Sequence, residues 1–172
     1  IDHAKSCTNK CVFCFIDQLP KGMRPSLYFK DDDSRLSFLQ GNFVTLTNLK
    51  DQDIDRIIRY RISPINVSVH TTDPELRKKM LNNRFAGNIM ERLKQLIEGG
   101  ITVNAQIVLC PGYNDGEALS RTLTDLMAFH PNLNSVAIVP IGLTQHREGL
   151  IEMVPFNAST SLETIRRVTE FQ

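Results

Sequence analysis

ITVNAQIVLCPG, residues 101–112, is the stretch whose reading decides the fold. Taken as a strand, it sets Asn104, Gln106 and Cys110 on one face and Ala105, Ile107 and Leu109 on the other, because successive side chains of a strand point to opposite sides. A parallel sheet covered by helices on both faces has strands that are apolar throughout. This strand has one wet face, so it belongs to a sheet covered on one side only. INVSVHT (65–71) repeats the pattern, with Asn66, Ser68 and His70 opposing Ile65, Val67 and Val69. NFVTLTN (42–48) does so again, Thr45 and Thr47 opposing Val44 and Leu46, and SVAIVP (135–140) is a fourth strand.

Helical segments alternate with these strands. KDQDIDRIIRYRI carries Ile54, Ile57 and Ile58 at helical spacing, and in TTDPELRKKMLNN Asp73 is a suitable N-cap with Pro74 in the first helical position. NIMERLKQLIEGG aligns Ile89, Leu93, Leu96 and Ile97 and stops at Gly99 and Gly100. A further helix carries Leu119, Leu123 and Met127, and a last one starts near Thr160 with Glu163 as its capping-box partner. The Pro-, Gly- and charge-rich residues 17–42 read as a long loop with a short helix at 34–39. Its acidic run, Asp31, Asp32 and Asp33, reads as a solvated turn. Arg77, Lys78 and Lys79 read as a solvated helix face.

Strand–helix alternation of this kind predicts an α/β fold with a parallel sheet and right-handed crossovers. The polar inner face predicts an open or wide barrel with a ligand in its lumen, unlike an ordinary (βα)8 barrel filled with branched apolar side chains. Only four strands are legible, so a full barrel needs strands beyond both ends. The chain opens on Ile1 with a cysteine motif close behind, and residues 1–172 read as one domain of something longer.

Twenty basic and 19 acidic side chains leave a formal charge of +1, which gives no reason to expect nucleic acid or an anionic membrane as partner. Apolar runs fall short of the ~20 residues of a membrane span, and no signal-peptide pattern opens the chain, so a cytoplasmic location is expected.

Three of the four cysteines lie within SCTNKCVFCF, residues 6–15. In a reducing compartment a C-x3-C-x2-C cluster of Cys7, Cys11 and Cys14 reads as metal binding or redox chemistry, not a disulfide framework. Thiolates suit zinc, copper(I) and iron–sulfur clusters. A zinc site favours two ligand pairs, and here it would have to recruit a remote histidine or Cys110 as its fourth ligand. A cubane offers four irons, so three cysteines leave one iron open to a small molecule. His3, His130 and His146 carry no assigned role. Cys110 reads mainly as a small buried hydrophobe, with a thiol facing substrate as the alternative.

CTNKCVFC resembles the signature of radical S-adenosylmethionine (radical SAM) enzymes, including Phe13 directly before the third cysteine. CVFCFIDQLPKGMRPSLYFKDDDSRLSF, GNFVTLTN, SVHTT, NNRFAGN and VLCPGYNDG resemble, more narrowly, a bacterial family in which a PDZ-like domain precedes a radical SAM barrel and a domain of unknown function follows it. The resemblance implies a partial (βα)6 TIM-like barrel, incomplete at both ends here. It implies a [4Fe-4S] cluster on Cys7, Cys11 and Cys14, with S-adenosyl-L-methionine chelating the fourth iron. One-electron reduction then cleaves the cofactor to methionine and a 5'-deoxyadenosyl radical that abstracts hydrogen from a substrate. An electron donor such as ferredoxin or flavodoxin is implied as partner.

Where the superfamily places a GGE-like motif, this chain has TLTN, so Thr45, Thr47 and Asn48 become the candidates for the cofactor's amino group. Ser68 and Gln106 are candidates for its ribose and carboxylate or for the substrate, while Val139 and Phe13 are candidates for contact with the adenine. The resemblance also makes the acidic run Asp31, Asp32 and Asp33 a candidate for substrate or loop ordering. His70 and Cys110 are the catalytic candidates. A non-catalytic zinc or iron–sulfur module, or a partner-docking module, is the rival reading.

Overall fold

The computed structural model describes residues 3–172. Its elements, in chain order, are α1 (Ser34–Gln40), α2 (Asp51–Arg59), β1 (Ile65–Ser68), α3 (Pro74–Leu81), α4 (Ile89–Glu98), β2 (Val103–Leu109), α5 (Gly116–Met127), β3 (Leu133–Pro140) and α6 (Ala158–Thr169). Short 3-10 turns sit at Ile16–Gln18, Pro25–Tyr28 and Ala86–Asn88. The strands form one parallel sheet in the order β1-β2-β3.

The two-faced strand reading holds. Along β2 the odd positions Val103, Ala105, Ile107 and Leu109 are buried while Asn104, Gln106 and Val108 are half-buried. The dry face packs under the helices: Ile54 and Ile57 from α2, Ile89, Leu93 and Leu96 from α4, and Leu119, Leu123 and Leu126 from α5 join Ile65, Val67 and Ile107 in one core. On α5 the inward stripe takes Leu126, whereas Met127, expected on that face, is 57% exposed. Helices outside and polar side chains inside give the architecture of a partial TIM-like barrel.

Residues 42–48 depart from a strand. Val44 makes a single parallel bridge to Val67, with its N–H donating to Asn66 O (2.9 Å) and its carbonyl accepting from Ser68 N–H (2.8 Å). The ladder stops there because Leu46, whose N–H would face β1 next, turns the chain with a left-handed φ of 60°, and Ser68 O, the acceptor it would meet, takes Arg77 Nη2 at 2.8 Å; Thr45 N–H points the other way, to the Asp32 carboxylate at 2.6 Å. Three strands and one bridge therefore replace the four strands expected. Val44 and Leu46 still enter the core.

The acidic run is not a solvated turn. Asp32 and Asp33 are buried. Asp32 accepts from both the N–H and the hydroxyl of Thr45, and Asp33 caps α1 while holding the Lys5 N–H and the Arg35 guanidinium. Arg77 is also misplaced by the solvated-face reading: it is 1% exposed and donates to four backbone carbonyls, described below. In α6 the cap is Asn157, which exchanges bonds with Thr160, so the helix begins earlier than a Thr160–Glu163 box would set it. Glu163 pairs instead with Arg167 at 3.6 Å.

Candidate metal centre

At the carboxyl ends of the strands a cavity of about 600 Å³ opens. Cys7, Cys11 and Cys14 line one wall; Ser68, His70, Gln106, Val108 and Val139 line the other. The cysteine segment is held in place by backbone bonds to two partners. Cys7 N–H donates to Lys30 O (2.7 Å) beside an antiparallel bridge between Ser6 and Asp31. Lys10 and Val12 N–H donate to Leu81 O (3.0 Å) and Met80 O (2.9 Å), the last carbonyls of α3, which a helix leaves unpaired.

Asn9, inside the C-x3-C spacer, is 3% exposed and links this loop to its surroundings. Its amide nitrogen donates to Thr45 Oγ1 (3.0 Å), and its oxygen accepts from Thr47 Oγ1 (3.0 Å) and Asn83 Nδ2 (2.7 Å). Thr47 is thereby spent on the loop and does not line the cavity, whereas Thr45 does. Asn48 also stays outside the lining: its amide nitrogen reaches Ser6 O (3.4 Å) and Asp32 O (3.2 Å). Of the TLTN candidates, only Thr45 faces the site.

Burial pushes the Cys7 and Cys11 thiols above their ordinary pKa, and at Cys11 the fields of Cys7 and Cys14 add to the effect. Three thiolates side by side are unfavourable without a cation, so ligation and proton release go together here. Lys30 adds local positive charge. Burial opposes its protonation, but its bond to Asp17 (2.6 Å) and the neighbouring Cys14 raise its pKa.

The two catalytic candidates end differently. His70 lines the cavity, in the left-handed region at φ 65°, its ring 4.5 Å from that of Phe13. Burial, with the Arg77 charge behind it, pushes its pKa down to about 3. Its Nδ1 accepts from Val108 N–H at 3.1 Å, which fixes a neutral ring whose remaining Nε2 is a donor. The ring's basic lone pair is thus engaged, which suits His70 to donate and not to act as a general base.

Cys110 leaves the polar face altogether. β2 ends at Leu109, so the strand alternation does not extend to it. The thiol lies at 0% exposure among Met80, Leu81, Ala86, Ile141 and Met153, 3.7 Å from Val108 O. Burial, then the Asp115 charge, pushes its pKa up to about 12, which leaves it an inert thiol.

Asn114 secures this corner. Its amide donates to His70 O (2.8 Å) and Val108 O (3.0 Å), and its oxygen accepts from Cys110 N–H (2.8 Å). The Ser68 hydroxyl and the Gln106 carboxamide differ from these committed groups. Both line the cavity and, among the described residues, neither has a side-chain partner. Sequence reading did not single out Lys30, although it lines the cavity, and Asp31, read first as part of a solvated turn, lines it too. Their contribution depends on the pairing of residues 5–7 with 30–32, which no local pattern signals.

A sequence comparison finds that residues 1–136 match the family described as Radical SAM-like domain. The chain belongs to that family. No curated protein matches it. Among solved structures, the radical SAM-like chain resembles Streptococcus suis SuiB at TM-score 0.63 and 14% identity, over 96% of this chain and 44% of that one. It resembles a domain of pyruvate-formate lyase-activating enzyme from Bacteroides vulgatus at TM-score 0.55 and 15% identity, over 80% of this chain and 81% of that one. Methylornithine synthase (PylB) follows at TM-score 0.55 and 14% identity, over 98% of this chain and 61% of that one. At these identities the likeness is one of fold. The chain spans less than half of SuiB.

The donor set fits an iron–sulfur cluster. Three thiols share one cavity wall, as a cubane that takes one cysteine per iron requires. A mononuclear zinc site would need a fourth ligand on the same point; of the described cysteines and histidines, Cys110 is buried apart from the cavity and His70 has its Nδ1 engaged. Among those residues no helix is long and apolar enough to cross a membrane.

Proposed function

We propose that Cys7, Cys11 and Cys14 hold a [4Fe-4S] cluster whose fourth iron binds S-adenosyl-L-methionine, and that the chain is the core of an enzyme abstracting hydrogen from a substrate admitted to the lumen. The observation that carries this reading is the shared cavity: three thiols on one wall, and on the other two polar side chains with no protein partner. Bound together, cluster and cofactor supply one-electron cleavage of a carbon–sulfur bond and the hydrogen abstraction that follows.

The chain's own residues bind and orient. Ser68 and Gln106 offer uncharged hydrogen-bonding groups to the cofactor's polar atoms, and Asp31 adds a carboxylate to the lining, while the Thr45 hydroxyl is already engaged by Asp32 and Asn9. Phe13 and Val139 give apolar contact for a flat ring. His70 contributes a fixed donor and closes the wall beside Phe13. A protein reductant of the ferredoxin or flavodoxin kind supplies the electron, which places the reaction in a reducing, cytoplasmic setting.

Anaerobic reconstitution tests the reading. We expect about four irons per chain and a change in the EPR signal of the reduced cluster on adding S-adenosyl-L-methionine. Cys11→Ser should lose both. Four irons with a signal indifferent to the cofactor would leave the non-catalytic iron–sulfur module in its place.

A further inference from the structure

Arg77 donates from Nε to Val69 O (2.9 Å), from Nη1 to Ala86 O (2.6 Å), and from Nη2 to Thr45 O (2.9 Å) and Ser68 O (2.8 Å). Among the described residues no carboxylate makes an ion pair with it. Carbonyl dipoles solvate a guanidinium without neutralising it, and a buried charge left so is costly unless something nearby carries the opposite sign. The groups whose negative fields reach it are Cys11, once its thiol is deprotonated, and Asp32.

Two features make this arrangement specific to the metal site. Arg77 lies on α3, and the last turn of α3 also holds Lys10 and Val12, the residues on either side of Cys11. The cation and the central ligand are therefore mounted on one element. The Arg77 fork also bridges the carbonyls of Thr45 and Ser68, two residues whose side chains line the cavity.

We infer that Arg77 is a positioning residue of the metal centre: its fork fixes the spacing of Thr45 and Ser68, and its unneutralised charge favours the reduced, more negative form of a three-thiolate cluster bound at Cys11. The inference rests on the cluster reading given above. Charge and hydrogen bonding around the sulfurs are among the protein's means of setting a cluster's potential. Lysine can replace the charge, and it cannot replace the planar fork.

The test uses the full chain, loaded anaerobically with iron and sulfide, with iron counted and the reduction midpoint taken by EPR-monitored titration at pH 8. Arg77→Gln should keep its iron while the ratio of reduced to oxidised cluster at a fixed potential falls about tenfold, a midpoint about 59 mV more negative for one electron. Arg77→Lys should move the midpoint back towards wild type, although both variants unfold at lower denaturant than wild type. Asp32→Asn, nearly isosteric and removing the opposing negative charge, should move it the other way.

An unchanged midpoint in iron-loaded Arg77→Gln would overturn the assignment, as would equal shifts in the Gln and Lys variants. Should Arg77→Gln fail to fold, an unmoved midpoint in Asp32→Asn would overturn it instead. Wild-type protein that takes up no iron would overturn the cluster reading and this inference with it, so the two failures are told apart by iron content.

Discussion

His70 and Asp32 are both buried, and both keep the neutral form over a wider pH range than they would in water, yet they act on stability with opposite sign. With its pKa pushed from 6.5 to about 3, His70 takes up a proton only in the unfolded chain across that window, so lowering the pH there favours unfolding. Asp32 is raised by burial from 3.8 to about 6, against the two Thr45 bonds that lower it. Between those values the folded chain holds the proton, so lowering the pH favours folding. From about pH 4 to 6 the two oppose each other. Asp32→Asn in metal-free protein should therefore lose stability more steeply than wild type as pH falls through this window, by up to about 1.4 kcal/mol per pH unit. His70→Gln should show the reverse. Urea midpoints measured across the window check this, and parallel curves for all three proteins would contradict it.

The helices were legible in the sequence because their signals are local. Asp73 does cap α3 by accepting from Leu76 N–H at 2.8 Å, and α4 does stop at Gly99. Residues 42–48 show the limit of local signals. Their alternation correctly sorts Val44 and Leu46 inward, yet Leu46, whose N–H would have continued the ladder, turns away at a φ of 60°, and the distant Arg77 takes the Ser68 carbonyl it would have met. Arg77 and Asp32 were unreadable for the same reason, since what lets them be buried comes from other segments. The α6 cap failed more narrowly: Thr160 and Glu163 fit a capping box, and Asn157 fits a better one three residues earlier. Gly99 has a role beyond ending a helix. A Cβ there would meet three carbons of Ile58 at 2.6–2.8 Å, so α2 and α4 approach closely because of it. Gly99→Ala should cost about 1–3 kcal/mol of stability by overpacking, measured by denaturant unfolding; a neutral result would mean that Ile58 swings aside.

Across the whole molecule the lumen is graded. At the amino ends of the strands the amides of Asn66, Asn104 and Asn134 bond in a ladder (3.0 and 2.9 Å), joined by Ser135 (3.0 Å). One layer higher, in register, Ser68 and Gln106 are unspent. Polar side chains are thus closed on one another at the floor and left open at the level of the cavity. Gln106→Leu should keep its iron and bind S-adenosyl-L-methionine roughly five- to tenfold more weakly, the loss of about 1 kcal/mol expected for one neutral hydrogen bond. Calorimetry on the loaded protein checks this, and unaltered affinity would move Gln106 out of the cofactor's reach. The cysteine loop has a further consequence at this scale. Residues 7–14 are tied by backbone bonds to Lys30, Met80 and Leu81 and by Asn9 to Thr45, Thr47 and Asn83. In a zinc finger the ion itself organises the chain, and chelators unfold it. Here the protein itself holds the three thiols in place, so stripping iron from reconstituted protein with a chelator should leave the far-UV circular dichroism of the fold intact.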